Sequence, residues 1–305
     1  MRGYILRRLG LLVPVVFGIL VVVFVLMRIV PGDPVRMMAG FDVDEATVQA
    51  LRHELGLDRS LPVQFGYYVA QLARGDLGRS LRSRRPVTDE LADRFRNTLV
   101  LAVASTGLAV VVGAAIGIAA ACFHRSGYDY LTMGAAVLGV SVPSYFLGIL
   151  MILLFAVLLN WLPSSGIGGV RHLVLPSLTL AASSSSIIAR MTRSSMLEVL
   201  SAAYVRTSRA KGLRERGVVL HHALPNAVIP VITVVGLEFG FILGGAILVE
   251  TVFSYPGVGW MMVEAIGTRD FPIVQGGVLA VALAFVLINL AIDLLYAAFD
   301  PRIRY

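Results

Sequence analysis

An all-α polytopic membrane protein is the fold class this sequence predicts, and two observations carry the prediction. The first is composition: 57% of the 305 residues are hydrophobic and only 15% are charged, with a mean hydropathy of +0.81. A soluble domain cannot hide that much apolar surface. The second is the length of the apolar runs near 9–30, 98–121, 131–159, 172–191, 227–249 and 273–298. A helix crosses a bilayer in about 20 residues, so these predict about six transmembrane helices.

Charge sets the expected orientation. Arg125, Arg190, Arg193 and the basic run from Arg206 to Arg216 lie on the same side as Arg2, Arg7, Arg8, Arg302 and Arg304. The short loops of the other side hold only Arg171 and Arg269. By the positive-inside rule both termini are expected to be cytoplasmic. The same asymmetry accounts for much of the net charge of +7. No RNA- or DNA-binding motif appears, so membrane lipid rather than nucleic acid is the expected partner of that charge. The first apolar run is long for a signal peptide and no small-residue cleavage pattern follows it, so it reads as a retained span. A single cysteine, Cys122, excludes an internal disulfide and a Cys-based metal site.

In chain order, residues 1–30 form a cytoplasmic N-terminus and the first span. Residues 31–97 form a small helical extracytoplasmic segment, since loops of this size translocate regardless of their arginines. Within it, Asp44 to Leu55 reads as a helix ended by Gly56. Pro62 to Arg74 reads as a second, with proline in its first turn and Gly75 behind it. Pro86 to Phe95 is a polar lead-in to the second span. Residues 98–305 form a five-helix core. Span two carries Gly113 and Gly117, a small-residue face suited to close packing, and the serines Ser183 to Ser186 of span four suit the same role.

Between the fourth and fifth spans lies residues 201–225, a basic stretch flanked by long apolar runs. Leu197, Leu200 and Tyr204 recur at helical spacing, with Arg206 and Arg209 on another face. Arg209, Ala210 and Lys211 stand where a helix would end, a favourable place for positive charge. Gly212 supplies the left-handed corner, Leu213 follows, and a second short helix is predicted from about Arg214 to Leu224, stopping before Pro225. A helix, a glycine corner and a helix at a membrane surface suit docking into a groove on a partner protein.

The spacing from Gly212 to Leu224-Pro225 resembles the EAA coupling loop of ABC-importer permeases. The name-giving residues are absent: Arg206-Thr207-Ser208 stand in their place, and His222 stands where the pattern prefers an apolar residue. The run Tyr204 to Leu213 is similar to the variant found in peptide-transporter permeases. Further fragments extend the likeness. Gly3-Tyr4 with Arg7-Arg8 is followed by Pro31-Gly32-Asp33-Pro34. The outer segment carries Gly56-Leu57-Asp58, Pro62-Val63-Gln64-Phe65, and Gly75-Asp76-Leu77-Gly78 with Ser80. Asn97-Thr98-Leu99, Ser141-Val142-Pro143-Ser144 and Phe253-Ser254-Tyr255-Pro256-Gly257 come later. The end has Arg269-Asp270-Phe271-Pro272, Asn289-Leu290, Asp293, Tyr296 and Asp300-Pro301-Arg302-Ile303-Arg304. In order and spacing these resemble the B-type permease of dipeptide and oligopeptide ABC importers over essentially the whole chain. The resemblance implies a second homologous permease, an ATPase pair that holds ATP and Mg, and an external binding protein that delivers peptide. Relatives of such permeases carry nickel, glutathione or oligosaccharide, and these remain alternative substrates.

No chemistry of the chain's own is expected. There is no GxxxxGK[ST] loop to cradle phosphate, no GxSxG elbow and no HExxH pair, so nucleotide would be bound by another chain. His221-His222 point in different directions on a helix and have no carboxylate cluster nearby in sequence, so no metal is expected there. Glu238 and Asp293 lie inside spans. A charge in hydrocarbon costs at least about 2.5 kcal/mol, so each should face a bundle interior or a wet cavity. Glu238 is read as lining a path, with interhelical hydrogen bonding the other possibility. Asp293 is read as a partner of Asn289 one turn away. Pro143 should kink span three, with Ser141 or Ser144 capping the freed carbonyl, either beside a pathway or as a plain bend. Glu250 is expected to be solvated. A proton-coupled carrier using Glu238 and Asp293 is the alternative of another class. It lacks an inverted repeat and would leave the docking loop without a role.

Overall fold

The computed structural model describes residues 2–29, 43–54, 56 and 58–299. Pro31-Gly32-Asp33-Pro34 and Asp300 to Arg304 lie outside the described residues, as do the side chains of Tyr4, Arg7, Arg8, Asp293 and Tyr296. Among the described residues the protein is helical. In order these are α1 (Arg2–Ile29), α2 (Glu45–Glu54), α3 (Leu61–Ala73), α4 (Val87–Cys122), α5 (Gly127–Ser141) and α6 (Ser144–Met151). They continue as α7 (Val170–Leu200), α8 (Ala203–Ala210), α9 (Glu215–Gly217), α10 (Leu224–Val252), α11 (Val258–Thr268) and α12 (Phe271–Phe299). Helices α4, α7, α9 with α10, and α12 contain stretches long and apolar enough to cross a membrane, and the bent pair α5 and α6 makes a fifth if counted as one span. The described apolar stretch of α1 is Gly10–Val25.

By packing, the chain divides into two units. One combines Met1–Arg96 with Gly257–Val286, and the other combines Asn97–Pro256 with Leu287–Tyr305. In the first unit the local signals of the sequence act as expected. Asp44 accepts hydrogen bonds from Thr47 at the start of α2, and Gly56 behind it has φ +65°. Proline sits in the first turn of α3, and Gly75 after it has φ +77°. Phe65 of α3 packs edge-on against Phe17 and Phe24 of α1, with ring centroids 5.7 and 5.2 Å apart.

A tight turn follows α3. Ser80 N donates to Arg85 O and Val87 N to Gly78 O, and the turn closes on Asp270. That carboxylate is 4% exposed and accepts from Ser80 Oγ and the backbone N–H groups of Leu81 and Arg82. Two of the family-like fragments, Gly75 to Ser80 and Arg269 to Pro272, are thus two sides of one contact.

In the second unit α7 is the central helix, and α4, α5, α6 and α10 pack on it. Gly113 and Gly117 are where α4 meets it: a Cβ at these positions would stand 2.6 Å from Ser185 O and 2.5 Å from Ala189 O. Ser184 and Ser186 are buried. The two glycines let the backbones of α4 and α7 approach, while the buried serines turn to other helices, Ser184 to Glu238 of α10 and Ser186 to Gly139 of α5.

Span three departs from its expectation. Instead of a kinked helix, α5 and α6 meet at 102°. Val142 is extended and Pro143 caps α6. A residue before proline avoids the helical region, and here nothing restores the ladder, so the helix ends. Ser141 Oγ donates to Val137 O, four residues back in its own last turn. Beyond α6 the chain widens into a π-helical stretch, Ile152–Leu158.

Candidate functional site

The stretch 201–225 forms a corner. Helix α7 breaks after Leu200, α8 runs for two turns, and Gly212 reverses the chain at φ +78°. Gly212 N donates to Arg209 O and Lys211 N to Thr207 O, closing the last turn of α8. A glycine takes this left-handed conformation without the Cβ clash that penalises other residues.

The second helix does not stop before Pro225. After α9 it passes through a π-helical stretch, Val218–Ala223, straight into α10, with Pro225 in the first turn of α10. The wider turn accommodates a residue with no N–H, and Asn226 Nδ2 donates to the His222 carbonyl, 3.0 Å away. The corner thus runs without a break into the span that follows it.

One face of the corner is anchored. Val205 and Val218 are fully buried. Met196, Val219, Ala223, Ala227 and Ala121 form a cluster on which Leu224 packs. The sequence reading missed Val205; it is the apolar position next to Tyr204 that faces inward. Arg209 staples the corner, donating through Nε and Nη2 to Glu215 at 3.1 and 2.7 Å. The other face is open. Tyr204 and Leu213 are 45% and 46% exposed, and Arg206, Ala210, Lys211 and Gly212 are exposed around them. Tyr204 and Leu213, ringed by arginine and lysine, face outward, away from the buried side of the corner.

The corner is braced by a carboxylate that sequence reasoning passed over. Asp129, at the start of α5, is 1% exposed. It takes both arms of Arg193 of α7, at 2.6 and 2.7 Å, the N–H of Arg125 at 3.0 Å, and lies 3.3 Å from His124 Nδ1. A bidentate guanidinium fixes both distance and angle. The pair therefore ties the α4–α5 turn to the last turns of α7, two turns before the corner begins. Asp129 in the first turn of a helix, with Ser126 as its cap, was the available signal.

Elsewhere in this unit the remaining polar candidates separate. Glu238 is 9% exposed and accepts from Ser184 Oγ of α7 at 2.6 Å. Asn289 is half-buried on α12, while Ser141 and Pro143 are exposed at the bend and Ser144 is half-buried beside it. Glu250, expected to be solvated, is fully buried because it sits in a knot with other chain segments. Thr98 Oγ1 donates to it at 2.7 Å, Asn97 Nδ2 donates to Pro256 O at 2.8 Å, and Tyr255 OH donates to Asn97 O at 3.3 Å. Burial and the Glu250 carboxylate push the Tyr255 phenol above its usual range, keeping it a donor. The fragments Asn97-Thr98 and Phe253 to Pro256 are again two sides of one contact.

The family model described as "Binding-protein-dependent transport system inner membrane component" matches residues 113–305, and its N-terminal companion matches residues 1–102. The chain is 48% identical to the "Glutathione transport system permease protein GsiC" of Salmonella typhimurium, over 100% of both chains. It is 47% identical, again over 100% of both, to the protein of the same name from Escherichia coli K12. Among solved structures, an inward-facing form of the MetNI methionine ABC transporter is similar in fold, with TM-score 0.59 and 20% identity over 69% of this chain and 96% of that one.

Proposed function

This chain belongs to the family of binding-protein-dependent transport system inner membrane components, and from that premise we propose how it works and what it carries. It is a multi-pass inner-membrane permease subunit of an ABC importer, and it works with an ATPase and a substrate-binding protein. In our reading it pairs with a second homologous permease, imports di- or oligopeptides including glutathione-like ones, and makes no chemical change to them. ATP and Mg are held by the partner ATPase. Both termini and the 201–225 corner face the cytoplasm, as the arginine distribution argues. The name shared by the relatives at 47–48% identity supports a peptide-like substrate.

The observation that carries the coupling role is the corner itself, with one face buried, the other offering Tyr204 and Leu213, and a continuous helical path into α10. ATPase closure would push this corner as a rigid lever, and Asp129–Arg193 would carry the push into α5 and α7. The spans would then rock between two access states. Truncating an apolar anchor in such a groove costs about 2 kcal/mol or more of affinity. Tyr204→Ala and Leu213→Ala should therefore insert normally but co-purify poorly with the ATPase and transport slowly in reconstituted vesicles. Wild-type transport by both variants would reject the corner as the coupling element.

The outer segment 31–97 is assigned to contact with the binding protein. Calorimetry on the permease complex without that protein should accordingly show no submicromolar peptide binding. Glu238, Ser141, Pro143, Ser144, Asn289 and Asp293 remain pathway candidates. For Glu238, a cysteine at that position in a Cys122→Ser background should react with a water-soluble thiol reagent in at least one state of the cycle. Inertness in every state would remove it from the pathway.

A further inference from the structure

Where the chain leaves span three and enters α7, the segment from Asn160 to Gly169 folds back into a cup. Gly166 N donates to Phe253 O at 3.0 Å, which pins the segment to the tyrosine-proline turn described above. The cup forms an open hollow of about 480 Å³ whose lining includes Asn160, Trp161, Gly168, Arg171 and His172. That is within the size range of small-molecule pockets.

Its lining has one sign of charge. Arg171 is exposed there, and none of the lining residues is acidic. The cavity opens beside the N-terminal end of the 31-residue α7, where the helix dipole adds partial positive charge. The ring of His172 lies against Gly168, where a Cβ would come within 2.4 Å of it, so Gly168 closes the wall on that side. Trp161, 63% exposed, gives one wall an aromatic face, with its ring centroid 6.0 Å from that of Phe155. A guanidinium, a helix N-terminus and an indole together fit an oxyanion attached to a short organic chain.

We propose that this cup is a weak entry site for the C-terminal carboxylate of a short peptide, held by Arg171 with the peptide chain against Trp161. The proposal rests on the peptide-importer reading above. A phosphate of an anionic lipid headgroup presents similar oxygens, so the experiment must separate the two sources.

Trp161 is one of two tryptophans in the chain, so Trp260→Phe leaves it as the sole reporter in the full chain held in phosphatidylcholine nanodiscs. Trialanine should change its emission saturably at millimolar concentration. Because a charge-assisted hydrogen bond is lost, trialanine amide should bind about tenfold more weakly or worse, and Arg171→Gln should abolish the response while Arg171→Lys keeps most of it. Equal responses to acid and amide, an undiminished response in Arg171→Gln, or no response at all would overturn the site. So would phosphatidylglycerol nanodiscs in which the lipid itself shifts the emission and blocks trialanine, which would assign the cup to a headgroup. ATP-driven, binding-protein-dependent peptide uptake by the wild-type complex is the separate check. Its absence defeats the importer reading, whereas uptake with a silent Trp161 defeats only the entry site.

Discussion

The knot at Asn97–Pro256 and the corner at 201–225 are opposite solutions to placing polar sequence in an apolar protein. In the knot every distinctive side chain is used internally. Glu250 is fully buried, Tyr255 is 1% exposed, and they bond Thr98 and the Asn97 carbonyl, over 150 residues away. In the corner the distinctive side chains are left over. Tyr204, Arg206, Lys211 and Leu213 face outward, while the unremarkable Val205 and Val218 hold the element down. The difference separates fixed structure from offered surface. A motif whose residues satisfy each other stabilises the fold, and a motif whose residues are exposed in an otherwise braced element is built for a partner.

The sharpest way to break this comparison is at the brace beneath the corner. Asp129→Ala leaves the Arg193 guanidinium without its carboxylate. Arg193 is 24% exposed, so water relieves part of the loss and the expected cost is about 2–3 kcal/mol. Thermal unfolding of the detergent-purified protein should show it as a clear fall in midpoint, and coupling should suffer as well. Arg193→Met with Asp129→Leu should recover part of the stability, since an apolar pair carries no desolvation penalty. An unchanged midpoint for Asp129→Ala would remove the brace.

The knot should respond next. Thr98→Val deletes a donor to a buried carboxylate, at a cost of about 1–3 kcal/mol in stability. Its effect should appear in the unfolding midpoint, with normal ATPase association in pull-down. Loss of association without loss of stability would mean the knot is not purely internal.

Gly212→Val reverses that pattern. Positive φ for a β-branched residue costs about 1–2 kcal/mol. A Cβ there meets no atom within 4 Å, so the strain is confined to the turn. Membrane insertion should be intact, while ATPase association weakens or hydrolysis runs without transport in reconstituted complexes. Wild-type coupling would show that the corner tolerates reshaping.

The smallest effect is expected from the staple between Arg209 and Glu215. Both partners are well exposed, so a double-mutant cycle on thermal stability should return no more than about 1 kcal/mol. A larger coupling energy would place the corner in a drier setting than its exposure indicates.

Much of this protein was legible in the chain because the relevant physics is local. Apolar runs long enough for a bilayer become helices wherever they occur. Asp44, Gly56, Pro62, Gly75 and Gly212 do their work within a turn or two of themselves, so α2, α3 and the corner appear close to where residue chemistry puts them. Gly113 with Gly117 and the serines of span four announced close contacts, although not that the glycines meet α7 while Ser184 and Ser186 meet α10 and α5. The bend of span three, the passage through Pro225 and the burial of Glu250 were not legible. Each depends on whether a freed backbone group or a carboxylate finds a partner from elsewhere. Thr98 answers for Glu250, Arg193 for Asp129 and Ser80 for Asp270 across 152, 64 and 190 residues. A buried polar group is costly alone and stable when paired. Its state therefore belongs to the packed structure, which alone decides which distant segments meet.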